Sequence, residues 1–337
     1  MKLDSVSISY DKQTVIDSLD LELVAGEIFV LMGPSGSGKS TLLKGIAGLL
    51  PFSSGELSWG NLIGTTGLVF QEPRLFPHLT VLENLAFGLR AKGVPKKERF
   101  RQVQQFLDIL QLQGLENRYP HQLSGGQQQR VSLGRVLVLK PDLLLLDEPF
   151  ASLDTPLRIQ LTEWLYQLQR EQGFSVLWVT HYIDEAFSVA NRVGLILNGK
   201  IQQIGLPVDF YQKPRSETVA SFFALPNRFS VDQWHGMIQG GMNRVAVGKN
   251  GMGWVPTNAL QLNDQTDTHH DDQSTVFING VVNRVKHEKN GNIVCVEVDE
   301  GLLQVELNLW GQVPELGKQV QVGVPTSRII WYPRDII

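Results

Sequence analysis

Residues 27–41, Glu27-Ile28-Phe29-Val30-Leu31-Met32-Gly33-Pro34-Ser35-Gly36-Ser37-Gly38-Lys39-Ser40-Thr41, decide the fold. Glu27 to Met32 is a short apolar run that reads as a buried strand. It enters a loop fitting G-x4-G-K-[ST], and Leu42, Leu43, Ile46, Ala47, Leu49 and Leu50 then recur at helical spacing until Pro51, which is expected to stop the helix. Strand, glycine loop and helix in that order are the setting in which the motif holds phosphate. The glycines let the backbone turn its N–H groups inward at a helix N-terminus, where the partial positive charge favours an anion. Lys39 adds a mobile cation for β- and γ-phosphates, and the Ser40 hydroxyl is a ligand for Mg²⁺.

A second strand ends in chemistry at Pro141 to Pro149, PDLLLLDEP. Four leucines deliver Asp147 and Glu148 to the C-terminal end of a buried strand, where open α/β sheets bind their ligands. One carboxylate suits a hydrated Mg²⁺ and the next suits orienting or deprotonating a water for in-line attack. Leu123-Ser124-Gly125-Gly126-Gln127-Gln128-Gln129-Arg130 puts an N-capping serine and a glycine pair ahead of another helical run. By spacing alone this is either a capped helix or a second anion site.

The rest of the chain sorts around these segments. Ser5 to Tyr10 alternates as a strand. From Leu75 to about Leu139 the pattern is mostly helical, with Phe100, Val103, Phe106, Leu107 and Leu110 on one face and Lys92, Lys96, Lys97, Arg99 and Arg101 on a solvated one. Val176 to Thr180 is uniformly apolar, as strands of a parallel sheet buried on both faces are. A helix carrying Leu157, Leu161, Trp164, Leu165 and Leu168 precedes it, and Asn198-Gly199 marks a hairpin. After about Asn227 the chain becomes short alternating strands with turns at Asn250-Gly251, Asn290-Gly291 and Glu300-Gly301, and with Val320, Val322 and Val324 on one face. The polar stretch Asn263 to Thr275 splits this region. His269-His270-Asp271-Asp272 within it reads as solvated linker rather than a metal site.

Length and charge narrow the classes. At 337 residues two domains are expected. With 30 Lys and Arg against 34 Asp and Glu, a net charge of −4 provides no global field for nucleic acid or anionic lipid. The single Cys295, in an alternating apolar run, is strand packing, which excludes an internal disulfide. Neither a leader segment nor a run of ~20 apolar residues is seen, so the chain is expected to stay on the side where it is made and to cross no membrane.

Taken in order, these motifs resemble the ATP-binding cassette family over essentially the whole chain. LSGGQ at 123–127 matches that family's signature, between a P-loop and an LLLLDEP strand. Tyr10 is similar to the aromatic that stacks on adenine. Gln71 in VFQEPRLFPHLTVLENLAFGL resembles the Q-loop, Ser152-Leu153-Asp154 the D-loop, and His181 in VTHYIDEA the switch histidine. Residues 204–227 resemble the junction in importer ATPases that carry an additional C-terminal β domain, the polyamine, ferric-ion, sulfate and molybdate group. Two departures stand out: the stretch between Gly60 and Gln71 is short, and Tyr182 occupies a place where an acidic residue is common.

The resemblance implies an α/β fold, a P-loop NTPase cassette at 1–227 with a helical subdomain inserted at about 72–140, followed by a small all-β OB/TOBE-like domain at 228–337, a β-barrel with a regulatory role. It implies an ATPase that pairs head to tail. Nucleotide would be held by Tyr10, Gly33, Pro34, Ser35, Gly36, Ser37, Gly38, Lys39, Ser40 and Thr41 of one copy and by Ser124, Gly125, Gly126 and Gln127 of the other. Glu148 would polarise the attacking water, with His181, Gln71 and Lys39 completing the catalytic set and Asp154 in the D-loop. Ser40, Asp147 and Gln71 would hold Mg²⁺, partly through water. The expected partners are a second cassette, an integral membrane permease and, indirectly, a solute-binding protein, with no nucleic acid. The expected place is the cytoplasmic face of the inner membrane, and the expected cargo is a small ion or polyamine. The alternative is a soluble cassette ATPase acting on ribosomes or nucleic acid, although such proteins usually carry two cassettes or a long coiled coil.

Overall fold

The computed structural model describes residues 1–10, 13–60, 64–237, 251–263, 275–288, 291–298, 301–308 and 313–333. Contacts divide the chain into two units, Met1–Pro207 and Val208–Ile337. The first opens with β1 (Lys2–Tyr10) and β2 (Gln13–Glu22), then β3 (Ile28–Met32), α1 (Lys39–Ile46), β4 (Ser54–Ser58) and β5 (Thr66–Val69). Three helices follow, α2 (Val81–Ala91), α3 (Lys96–Ile109) and α4 (Gly125–Leu137). The unit closes with β6 (Leu143–Asp147), α5 (Thr155–Gln172), β7 (Ser175–Thr180), α6 (Ile183–Val189), β8 (Arg192–Leu197) and β9 (Lys200–Gly205).

A six-stranded sheet runs in the order β5-β6-β7-β3-β8-β9. Only the hairpin partner β9 is antiparallel; its register, Leu197 against Lys200, puts the turn at Asn198-Gly199 as expected. Strands β3 and β7 are buried at every residue, which is why their sequences are apolar without alternation. β1, β2 and β4 form a separate antiparallel sheet in the order β2-β1-β4, with Leu3, Val6 and Ile8 turned into a core shared with Leu42, Leu43 and Ile46 of α1. Helix α1 is shorter than its hydrophobic run. It ends before Gly48, whose φ of 71° is the left-handed conformation that closes helices, and Leu49 is exposed.

The helices α2, α3 and α4 have a core of their own built from Leu85, Leu89, Val103, Leu107, Leu110 and Val131. The apolar face expected on α3 is the buried one, and the lysines of its basic cluster are exposed. The stretch Leu75 to Thr80 is not helical. α2 starts only where Thr80 and Glu83 form a capping box, Thr80 Oγ1 accepting from the Glu83 N–H at 3.3 Å.

In the second unit α7 (Asp209–Gln212) and α8 (Glu217–Phe222) precede β10 (Arg228–Ser230), α9 (Val231–Met237), β11 (Gly251–Trp254) and β12 (Gln261–Asn263). The chain continues through β13 (Thr275–Glu288), β14 (Gly291–Val298), β15 (Gly301–Asn308), β16 (Gln319–Pro325) and β17 (Ile330–Pro333). The strands pair antiparallel in two sheets, β10-β11-β17 and β12-β16-β13-β14-β15. Val320, Val322 and Val324 are buried together, as is Cys295. The short helix α9 buries Trp234 against Phe229 and was not anticipated from the alternating pattern. Asn250, Asn290 and Glu300, the histidines at 269–270 and most of the polar stretch around them lie outside the described residues.

Candidate nucleotide site

Four neighbouring parallel strands end at one edge of the six-stranded sheet, and each hands over to one motif. β5 leads to Gln71, β6 to Asp147 and Glu148, β7 to His181 and β3 to the loop at Gly33. Register brings them level: Val69 of β5 lies beside Leu146 of β6, Asp147 beside Val179 of β7, and Met32 of β3 beside Thr180. Residues far apart in sequence thus share the carboxyl edge of the sheet, the usual place for a ligand in an open α/β fold.

The loop after β3 is drawn tight against the protein. A Cβ at Gly33 would lie 2.3 Å from the Ile196 carbonyl oxygen, so no larger residue fits without moving a backbone. Lys39 begins α1 and turns its ammonium back to donate to the carbonyls of Gly33 and Pro34, each at 2.8 Å. Burial pulls the Lys39 ammonium below its ordinary range, and the carboxylates of Glu148 and Asp147 partly offset this. Pro34, Ser35 and Gly36 are exposed, so the loop faces outward where a phosphate would arrive. Ser37 Oγ is buried without a hydrogen-bond partner.

Next to the loop, Ser40 Oγ donates to Asp147 Oδ1 at 2.7 Å. Burial pushes the Asp147 carboxyl above its ordinary range, Ser40 pulls it back, and Glu148 adds like-charge repulsion. This pair tests well as a Mg²⁺ site. Both donors are hard oxygens, and among the described residues no cluster of three or more His, Cys, Asp or Glu forms a complete metal cage. That is the donor set expected of an ion which takes one or two protein oxygens and completes its shell with phosphate and water.

Glu148 sits at φ 46°, a left-handed conformation rare outside glycine, and its N–H donates to the Val179 carbonyl at 2.9 Å. The turn directs its carboxylate to His181, whose Nδ1 lies 2.9 Å from Glu148 Oε2. Behind them Phe150 packs edge-on to Trp178, ring centroids 5.5 Å apart, in the dry core beneath the strand ends.

Other expected residues lie elsewhere on the unit. Tyr10 closes β1 with its ring exposed. Gln71 is exposed beyond β5, and Thr41 lies in the first turn of α1. Ser124 caps α4: its Oγ accepts from the Gln127 N–H at 3.3 Å, and its own N–H donates to Gln127 Oε1 at 3.0 Å. Asp154 caps α5, and a Cβ at Gly126 would lie 3.0 Å from Leu157 on that helix. Ser124 and Gln127 therefore satisfy each other, while the exposed glycine Gly125 leaves backbone free to face another molecule.

Several polar residues that support the site carry no motif signal strong enough to find by sequence. Glu185, quoted above only as part of the histidine motif, is buried and accepts from Thr180 and Thr162. Asn84 and Arg135 bind the backbone of the segment after Gln71: Asn84 Nδ2 donates to Phe76 O at 3.2 Å and Leu79 O at 3.0 Å, and Arg135 Nη1 donates to Arg74 O at 2.9 Å.

The profile of the ABC transporter family matches residues 16–151. A sulfate/thiosulfate import ATP-binding protein of Vibrio cholerae is 40% identical over 286 residues, covering 80% of this chain and 76% of that protein. This chain belongs to the ABC transporter ATP-binding family. A second sulfate/thiosulfate import ATP-binding protein, from Agrobacterium fabrum, is 38% identical across 79% of this chain and 82% of its own length. An Fe(3+) ions import ATP-binding protein of Fusobacterium nucleatum is 39% identical across 67% of this chain and 63% of its own. Among solved structures, the cassette cbiO1 of Clostridium perfringens superposes with a TM-score of 0.59 at 29% identity, covering 65% of this chain and 94% of that one. This ABC protein is an ATPase, of a family that generally uses ATP with Mg²⁺, and its cassette followed by β sheets matches the expected fold class. Among the described residues no helix is long and apolar enough to cross a membrane.

Proposed function

We propose that this ABC ATPase powers the import of a small inorganic ion through a membrane permease, acting as a pair of cassettes on the cytoplasmic face of the inner membrane. The observation that carries the catalytic reading is the Glu148–His181 hydrogen bond at the same sheet edge as Lys39 and the Ser40–Asp147 pair. The relatives named above are import ATP-binding proteins for sulfate, thiosulfate and ferric ions, which favours a small ion over a polyamine. They give no support to the alternative of a ribosome- or nucleic-acid-directed ATPase.

The loop N–H groups and Lys39 bind the phosphates, and for Lys39 this means exchanging its two carbonyl partners for phosphate oxygens. Tyr10 offers a ring face to adenine, and Thr41 adds a contact to the α-phosphate. Ser40 and Asp147 would hold Mg²⁺, with Gln71 reaching it through water; the ion, when bound, neutralises charge on the phosphates. Glu148 accepts the proton of the attacking water. His181 has a choice of partners. A neutral imidazole that donates Nδ1–H to Glu148 has only an acceptor at Nε2, so holding a γ-phosphate oxygen requires either release from Glu148 or a second proton. His181 that turns to the γ-phosphate gives up Glu148 Oε2, which frees the carboxylate for water.

A partner cassette supplies Ser124, Gly125, Gly126 and Gln127 to the γ-phosphate, and Asp154 lies at that junction. One of the solved relatives, MJ0796, is described as dimeric in a post-hydrolysis state with ADP and Pi; it is 32% identical with a TM-score of 0.54 and covers 61% of this chain and 98% of that one. The permease is received by the segment after Gln71. Beside it, Leu79, Phe87, Arg90, Lys96 and Phe100 line a hollow of about 230 Å³ in the helical insert. A solute-binding protein acts through the permease. The β region from 228 onward regulates rather than catalyses.

The test is Glu148→Gln. Turnover should fall by about 10²–10⁴-fold, as loss of a general base does, while ATP binding persists. With Mg²⁺ and ATP the variant should elute as a dimer from a sizing column. Near-normal turnover would remove Glu148 from the base role, and a monomer at saturating ATP would rule out the shared site.

A further inference from the structure

Tyr182, the departure noted next to the histidine, has two close neighbours at its ring. Its ring centroid lies 4.1 Å from that of His181 at an interplanar angle of 35°. The Arg158 guanidinium carbon lies 4.0 Å from the centroid of the same tyrosine ring. Its backbone is held too, its N–H donating to Thr180 Oγ1 at 3.1 Å. His181 is itself half exposed, and among the described residues its ring hydrogen-bonds to Glu148. Its packing against the Tyr182 ring therefore adds to that one hydrogen bond in limiting rotation of the imidazole about its own side-chain bonds.

The other end of the stack is anchored in α5. Arg158 lies in the first turn of that helix, its N–H donating to Asp154 O at 2.9 Å and its Nη2 to Thr155 Oγ1 at 3.3 Å. The same turn carries Leu157, the residue under Gly126 of the signature segment, and follows Leu153, which lies under Gly125. One turn of helix thus meets Gly126 of the signature through Leu157 and the tyrosine beside the histidine through Arg158.

We propose that Arg158 and Tyr182 are positioning residues for His181, clamping its imidazole toward Glu148 and tying that orientation to the turn beneath the signature. A guanidinium over an aromatic face is attractive and planar, so it holds the ring without a hydrogen bond, and the held ring packs in turn against the imidazole. This inference rests on the reading of Glu148 and His181 as the catalytic pair.

The experiment measures kcat and KM for MgATP on the full chain, with single turnovers for the slow variants. Tyr182→Ala should lower kcat about tenfold with KM changed less than about twofold, the size expected when one cation–π contact and one ring contact are lost together. Tyr182→Phe, which keeps the ring, should turn over like the parent, and Arg158→Gln should fall by about three- to tenfold. Because both act through the histidine, Tyr182→Ala should add nothing to His181→Ala. Parent-like turnover by Tyr182→Ala beside a dead His181→Ala would overturn the clamp alone, as would losses that multiply in the double variant or a Tyr182→Phe variant as slow as Tyr182→Ala. Parent-like turnover by His181→Ala would overturn the catalytic pair itself, and the clamp with it.

Discussion

Glu185 shows how a buried charge is tolerated at this site. It accepts hydrogen bonds from Thr180 and Thr162 and faces the charge of Arg158, yet burial still pushes its carboxyl above the ordinary range. An acid whose folded pKa is raised costs stability once it ionises, so its penalty grows as pH rises from the unfolded value through the folded one and is constant above. Glu185→Gln keeps two acceptor or donor atoms for the threonines and removes that penalty. Its melting temperature relative to the parent should therefore be higher at pH 8 than at pH 5. A gain that instead shrinks as pH rises through that range would show that Arg158 and the threonines more than offset the burial. Of the residues at this scale, Lys39, Asp147 and Glu148 stand out in the sequence as chemically specific groups beside a strand pattern, and His181 through the family resemblance. Glu185, Arg158 and Tyr182 were not, because their partners come from other elements.

The segment from Pro73 to Thr80 has no regular structure, so the backbone groups it buries need partners outside a helix or strand ladder. Asn84 is fully buried and does much of this: besides its bonds to Phe76 O and Leu79 O, it donates to Thr80 O at 3.0 Å, and its Oδ1 accepts from the Phe76 N–H at 2.9 Å. Arg135 on α4 holds the other end, its guanidinium also lying 5.3 Å from the centroid of Phe76, while Phe76 packs on Phe87 at 4.3 Å. Asn84→Leu conserves size but strands a buried N–H and carbonyls, so it should cost about 1–3 kcal/mol in urea unfolding. Faster hydrogen exchange should be confined to 73–80. A cost below a few tenths of a kcal/mol would mean that water replaces the asparagine without loss. The helical reading of this stretch was too long because Leu75, Phe76 and Leu79 have helical spacing, whereas tertiary hydrogen bonds to Asn84 hold an open chain.

At the scale of the molecule, the contact division falls after Pro207, ahead of the change in composition near Asn227. The reason lies in the second unit's own bonds. The Tyr332 hydroxyl donates to Pro214 O at 2.9 Å, Asn227 Nδ2 donates to Gln304 O at 2.9 Å, and the Gln304 N–H donates to Asn227 Oδ1 at 2.6 Å. Phe210 and Phe223 are buried with α7 and α8. A chain ending at Asn227 keeps these aromatic residues and loses the strands that bond their segment. A chain ending at Pro207 loses both together. The shorter chain should hydrolyse MgATP and remain monodisperse without nucleotide, whereas the longer one should bind a hydrophobic dye and aggregate. The opposite order in dye binding would place the useful boundary at the composition change.

The sequence by itself determined the order of buried strands, the phosphate loop, the carboxylate pair and the β character of the C-terminal region, because these depend on local patterning and on residue types with little chemical ambiguity. Only the tertiary structure decided that Glu148 meets His181, that Arg158 and Asn84 act as supports, and that residues 209–222 join the second unit. The first pairing is set by the register of two parallel strands, and the others by how helices and open chain pack on one another, neither of which a single sequence displays.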